Sequence, residues 1–182
     1  MVEVSSWSSA PGAVAFLLHP SVVPIIDVFR SLDSLEDQYD LALLDGPERG
    51  LASYVQPELA KGIVSDTLLL AFSLTRQRAR PFFYRPLGSR HGSVDEYCLL
   101  ALIGSSGNGK AEVALEAAAF LEVQSLDSLM ALAKEILRQI EIGTIVFDPP
   151  DLSEFRAMMG HNPSEDVLVE ADMEKAEFNF RG

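Results

Sequence analysis

Two short stretches of this 182-residue chain hold the residue types from which chemistry is built. The first is Gly104-Ser105-Ser106-Gly107-Asn108-Gly109-Lys110. Its glycines and lysine stand where a phosphate-binding loop has them, after an apolar run at 97–103 and before a segment of high helix propensity at 111–121. In such a loop backbone N–H groups wrap the phosphates, the lysine reaches the outer ones, and the next residue's hydroxyl holds Mg²⁺. Here the next residue is Ala111, so the magnesium ligand is missing, and with it the part most closely tied to phosphoryl transfer. Asp148, behind the run at 144–147, imitates the acidic metal partner of such enzymes, although an Asp before Pro149-Pro150 is also an ordinary turn former. The cofactor-binding candidates on this nucleotide reading are Gly104, Gly107, Gly109, Lys110 and Asp148.

The same stretch supports a reading without any ligand. Asn108-Gly109 is a strong signal for a two-residue hairpin turn, because both central positions of that turn require positive φ. The run at 97–103 then becomes a strand paired antiparallel with residues after Lys110, and the Ala- and Glu-rich helix propensity of 111–119 stands against it.

The second stretch is basic and aromatic. Arg76, Arg78, Arg80, Arg85 and Arg90 place five of the fourteen Lys and Arg residues within fifteen acid-free positions, and Pro81 and Pro86 bracket Phe82-Phe83-Tyr84 there. Arginines and rings are enriched at protein interfaces, so the partner-binding candidates are Arg76, Arg78, Arg80, Phe82, Phe83, Tyr84 and Arg85. Such residues also stack on single-stranded bases, fold back on acidic residues of their own chain, or form a solvated loop with an aromatic anchor in the core.

Other catalytic groupings are poor. His19, His91 and His161 are far apart, with no His-x-x-x-His or Cys-x-x-Cys spacing for a metal. Cys98 lies among Leu and Tyr, where a thiol is a buried structural group and not an activated nucleophile. Ser105 and Ser106 lack an elbow motif and a base. No catalytic residue, metal site or cofactor is assigned.

The elements that must position these stretches follow from hydrophobic spacing. Leu126, Leu129, Met130, Ala133, Ile136, Leu137 and Ile140 line one helical face, with Ser125 as the expected cap and Gly143 as a left-handed stop, and residues 144–147 read as a core strand. Ser31 opens a second helix with Leu32, Leu35, Tyr39, Ala42 and Leu43 on one face. The words Ser31-Leu32-Asp33-Ser34-Leu35 and Ser125-Leu126-Asp127-Ser128-Leu129 are identical, which leaves a duplicated strand–cap–helix unit open. Strands are expected at 13–18, 24–29, 67–74, 97–103 and 167–169, and a short helix from Ser153 to Gly160. A Ser-rich arm at 1–12 carries Trp7, and an acidic tail, expected to be mobile, fills 161–182. The fold class is therefore α+β: one domain over 1–182, mostly antiparallel sheet covered by two Ser-capped amphipathic helices, with a subdivision into similar halves near residue 80 left open.

Composition limits the partners. A formal charge of −13 and a pI near 4.5 repel phosphate backbones and anionic lipid heads, so nucleic acid is an unlikely general partner. No apolar run reaches about 18 residues, and no basic segment precedes an apolar one at the N-terminus, which points away from membranes and to the cytoplasm.

Residues 80–85 (Arg-Pro-Phe-Phe-Tyr-Arg), the apolar run, residues 119–129 and then 144–149 (Thr-Ile-Val-Phe-Asp-Pro) resemble in order the SseB-like domain. The resemblance covers about residues 80–150 and departs from the family in lacking a proline before Phe120 and in having Asp148 where Asn is usual. It implies a hairpin, an α+β fold and a non-enzymatic role. The function expected from the sequence is that of an acidic accessory or interaction protein of adaptor, chaperone or inhibitor type, binding another protein through residues 76–90, an acidic face, or both. The alternative is a nucleotide-binding or phosphotransfer domain using a degenerate phosphate loop at 104–110.

Overall fold

The computed structural model describes residues 16–38, 40–107 and 109–160. The arm at 1–12, Trp7, Tyr39, Asn108, the strand expected at 167–169 and the tail at 161–182 lie outside those residues. The described chain is mostly helical, which overturns the expected sheet-dominated α+β fold. In order it runs β1 (Phe16–Leu17), α1 (Val23–Arg30), α2 (Leu32–Gln38), a 3₁₀ turn (Leu41–Leu44), α3 (Asp45–Ala52), α4 (Pro57–Gln77), β2 (His91–Gly92), α5 (Val94–Ser105), α6 (Ala111–Phe120), α7 (Asp127–Ile142) and α8 (Leu152–Met158). The one sheet among these residues is the antiparallel pair β1–β2, with Phe16 opposite Gly92 and Leu17 opposite His91.

The core is organised around α5, the run expected to be a strand. Every residue from Asp95 to Ser105 is buried, so the helix is enclosed on all sides and its apolar stretch, 97–103, shows no amphipathic stripe. Its start is dictated locally: Ser93 accepts the Glu96 N–H, and the Glu96 carboxylate accepts the Ser93 N–H, a complete capping box. Around α5 pack α6 and α7, while α4 packs along α7, α3 and α1. The α4–α7 contact joins chain on either side of residue 80, and one apolar cluster runs from Leu18 to Phe155.

Three other expected strands are also absent. Residues 24–29 lie in α1 and 67–74 in α4, while 144–147 is a turn residue followed by unpaired loop. Of the strand expected at 13–18, only Phe16 and Leu17 pair, and 13–15 lie outside the described residues. Of the two helices expected to be Ser-capped, the one at 126–140 forms as α7, and the one from Ser31 forms only as far as Gln38, with Ala42 and Leu43 in the 3₁₀ turn and Gly46-Pro47 inside α3. Ser31 closes α1, its hydroxyl donating to the Asp27 carbonyl, and α7 begins after Leu126 with no side-chain cap. The repeated five-residue word thus sits at a helix start both times, without a preceding strand in either place. Gly143 is not left-handed: its φ is −74°, and Thr144 takes the positive φ of 51°. Gly143 is needed for space, because a Cβ there would lie 2.5 Å from Val55 Cγ1. The helix expected from Ser153 is α8, capped instead by Asp151 with Glu154 and ended by Gly160 at φ 81°.

Candidate functional site

The arginine and aromatic segment is a strap laid across the N-terminal end of α5 and held by carboxylates. Glu96, fully buried, takes the Arg30 guanidinium in two parallel bonds, Nε–Oε1 at 2.8 Å and Nη2–Oε2 at 3.1 Å, and also accepts the Arg85 N–H at 3.1 Å. Arg30 further donates to Asp27 at 3.0 Å and to the Ser89 and His91 carbonyls, and Asp27 accepts the Gly88 N–H. Burial works to lower the Arg30 pKa, yet its bonds to Glu96 and Asp27 hold it above the ordinary value.

Asp95 closes the other end of the strap. It accepts from Arg78 Nη2 at 3.1 Å, from Arg80 Nη2 at 3.0 Å and from the Phe83 N–H at 2.9 Å, while Arg80 Nε reaches Glu122 at 2.9 Å. The Ser93 hydroxyl donates to the Phe83 carbonyl at 2.6 Å. The Arg78 side chain is 1% exposed and stacks on Phe82 at 4.2 Å, and Phe82 in turn stacks on Tyr84 at 5.2 Å. Arg78 Nε and Nη1 and Arg85 Nε are buried without a hydrogen-bond partner.

Of the seven partner-binding candidates, Arg78, Arg80, Phe82 and Tyr84 line one small cavity of about 260 Å³ under the strap. Phe83 is 61% exposed, Arg76 is exposed at the end of α4, and Arg85 lies 6.0 Å over the Phe83 ring. Two of the four arginine candidates, Arg78 and Arg80, are thus bound to the protein's own acids, while Arg76 and Arg85 form no ion pair among the described residues.

The stretch 104–110 begins in the last turn of α5 and is followed by α6, so a helix and not a strand stands on each side, against the hairpin expected there. Gly109, at φ 90°, supplies the left-handed turn expected of it, but it links helices. Gly104 lies within the last turn of α5, where a Cβ would come 2.0 Å from Pro149 Cβ. Gly104, Gly107 and Lys110 line a shared cavity of about 310 Å³ whose other walls are apolar except for Glu141. Gly109 and Asp148 do not line it. Cys98 is fully buried, with burial the main cause of a thiol pKa pushed up from 9.0 to about 12.

A third region, which the sequence reading passed over, lies where β1, α5, the segment 145–150 and α8 meet. Two adjoining cavities of about 310 and 590 Å³ share Tyr97, Asp148 and Pro150. Their floor is aromatic: Tyr97 packs edge-on against Phe16 at 4.9 Å and stacks on Phe155 at 5.9 Å. Leu17 and Val146 stand at the margin, 62% and 57% exposed. Burial, then Glu154, pushes the Tyr97 hydroxyl up to about 12, so it stays a neutral donor. His19, also on the lining, accepts from or donates to Ser21 Oγ through Nδ1 at 2.7 Å, and the Ser21 hydroxyl donates to the Val146 carbonyl at 3.4 Å.

Among the described residues no three His, Cys, Asp or Glu side chains converge as a metal site, and no helix is long and apolar enough to cross a membrane. Compared with protein-family models, curated proteins and solved structures, the chain matches none.

Proposed function

We propose that this is a non-enzymatic accessory protein that binds another protein through its acidic surface. The observation that carries this reading is the fate of the arginines: Arg30, Arg78 and Arg80 are tied to Asp27, Asp95, Glu96 and Glu122. Two of the five strap arginines, Arg78 and Arg80, are thereby neutralised, and the formal charge of −13 makes the chain's field predominantly negative. A field of one sign steers a basic partner and rejects acidic ones, which sets association rate and partner choice.

The nucleotide alternative fares worse. A helix, not a strand, precedes the 104–110 turn, Gly104 is packed against Pro149, and Glu141 faces the cavity that a phosphate would enter. Its direct test is a thermal shift with ATP or GTP and magnesium, in wild type and Lys110→Ala; a shift lost in the variant would restore it.

The partner-binding reading is tested by co-purifying tagged protein from its host at low and high salt, followed by mass spectrometry and analytical ultracentrifugation of the isolated complex. The expected result is one stoichiometric complex with a basic partner that dissociates as salt rises. Recovery of the free monomer alone at every salt concentration contradicts it.

A further inference from the structure

We propose that the groove over Tyr97 is a docking site for an extended segment of a partner protein in which apolar residues alternate with Lys or Arg. This rests on the partner-binding reading above and gives it a place and a ligand chemistry. Three independent features of the groove converge on that occupant.

The first is apolar capacity. The two adjoining cavities offer volumes on the scale of side-chain pockets, and their aromatic floor is flanked by Leu17 and Val146, both more than half exposed. Large apolar residues set together over a cavity mark interaction surfaces, whereas single ones scattered over a surface carry no such meaning.

The second is charge. No Lys or Arg lines either cavity, while Asp148 and Glu154 do, and the ion pairs of the described residues leave both carboxylates without a cationic partner. On the flanking elements one arginine is ion-paired and another is held by a backbone carbonyl. Arg156 of α8 pairs with Glu116, and Arg90 Nε donates to the Leu18 carbonyl. An acidic rim around an apolar floor complements a segment that is apolar and basic, and it opposes an acidic one.

The third is backbone. Residues 145–150 lie in no helix or strand, with Ile145 buried, Val146 exposed, Phe147 half-buried and Asp148 exposed, an in-and-out alternation of the kind a strand with one free face shows. Among the described residues the N–H groups of Val146, Phe147 and Asp148 donate to no backbone carbonyl. An extended segment laid beside them gains main-chain hydrogen bonds, its alternate side chains entering the groove and the others reaching the acids.

The test uses the whole chain and fluorescent peptides of alternating Leu and Lys, with a Gly/Lys peptide of equal charge and a Leu/Glu peptide as controls, read by anisotropy. The Leu/Lys peptide is expected to bind at least about tenfold more tightly than either control. Val146→Arg and Asp148→Arg, both at exposed positions, should each weaken it about tenfold, whereas Glu58→Arg, an exposed acid lining neither cavity, should change it less than about threefold. Equal binding of the Gly/Lys peptide, or equal loss in Glu58→Arg, reduces the effect to bulk charge and overturns the inference. Absence of binding at millimolar peptide also overturns it. A stoichiometric complex in co-purification would then still stand for partner binding at another surface, and its own absence would remove both.

Discussion

Glu96 is the residue on which most of the local structure depends. It caps α5, neutralises Arg30 and accepts two N–H groups, all at full burial. Glu96→Gln keeps the shape but removes the buried, bidentate carboxylate from Arg30 and leaves it Asp27 alone, so unfolding in urea should show a loss of about 3 kcal/mol. A loss below about 1 kcal/mol would mean that the pair is not formed in solution. Cys98 gives a pH signature. Burial raises its folded pKa from 9.0 to about 12, so above pH 9.0 the unfolded thiol ionises while the folded one keeps its proton. The folded state then binds more protons, and stability must fall as pH rises, by up to about 1.4 kcal/mol per pH unit. Urea midpoints measured above pH 9.0 should decline more steeply in wild type than in Cys98→Ala, and equal slopes would contradict the burial. The word Ser93-x-x-Glu96 is a helix-start signal legible in the sequence, and it outweighs the strand-like apolar run that follows it. The internal pairing of Arg78 with Asp95 was beyond reach, since neither residue type nor spacing says which acid a buried arginine will find.

At the scale of elements, the errors have one physical source. A short run that is apolar on every side has no period to read, so α5 and the 67–74 part of α4 passed for strands. Periodic elements fared better: α7 and α8 lie close to where their spacing placed them, because each buries one face only, whereas the helix expected to run from Ser31 past Leu43 ends as α2 at Gln38 and gives way to the 3₁₀ turn. The turn after α7 shows how a glycine misleads. Steric room beside Val55 selects Gly143, and the strained φ falls on β-branched Thr144. Thr144→Gly should therefore raise stability by up to about 1 kcal/mol, the relief of a left-handed β-branched residue offset in part by chain entropy. Gly143→Ala should lower it by about 1–3 kcal/mol through overpacking against Val55. Thermal melts of the two variants moving in the same direction would refute this division of roles.

For the molecule as a whole, acidity was legible from composition and its consequence was not. The sequence pointed to the arginine strap as the contact surface, and the fold turns Arg78 inward, so replacing it by Glu would unfold the strap and say nothing of partners. The groove was missed because Phe16, Tyr97, Asp148 and Glu154 are scattered over most of the chain and no spacing links them. The most direct test is amide chemical-shift mapping of the whole protein titrated with the Leu/Lys peptide. Shifts should concentrate on Leu17, Tyr97, Val146 and Asp148 and leave the strap at 78–88 unmoved. Shifts confined to the strap, or spread evenly over acidic surface far from the groove, would contradict the account.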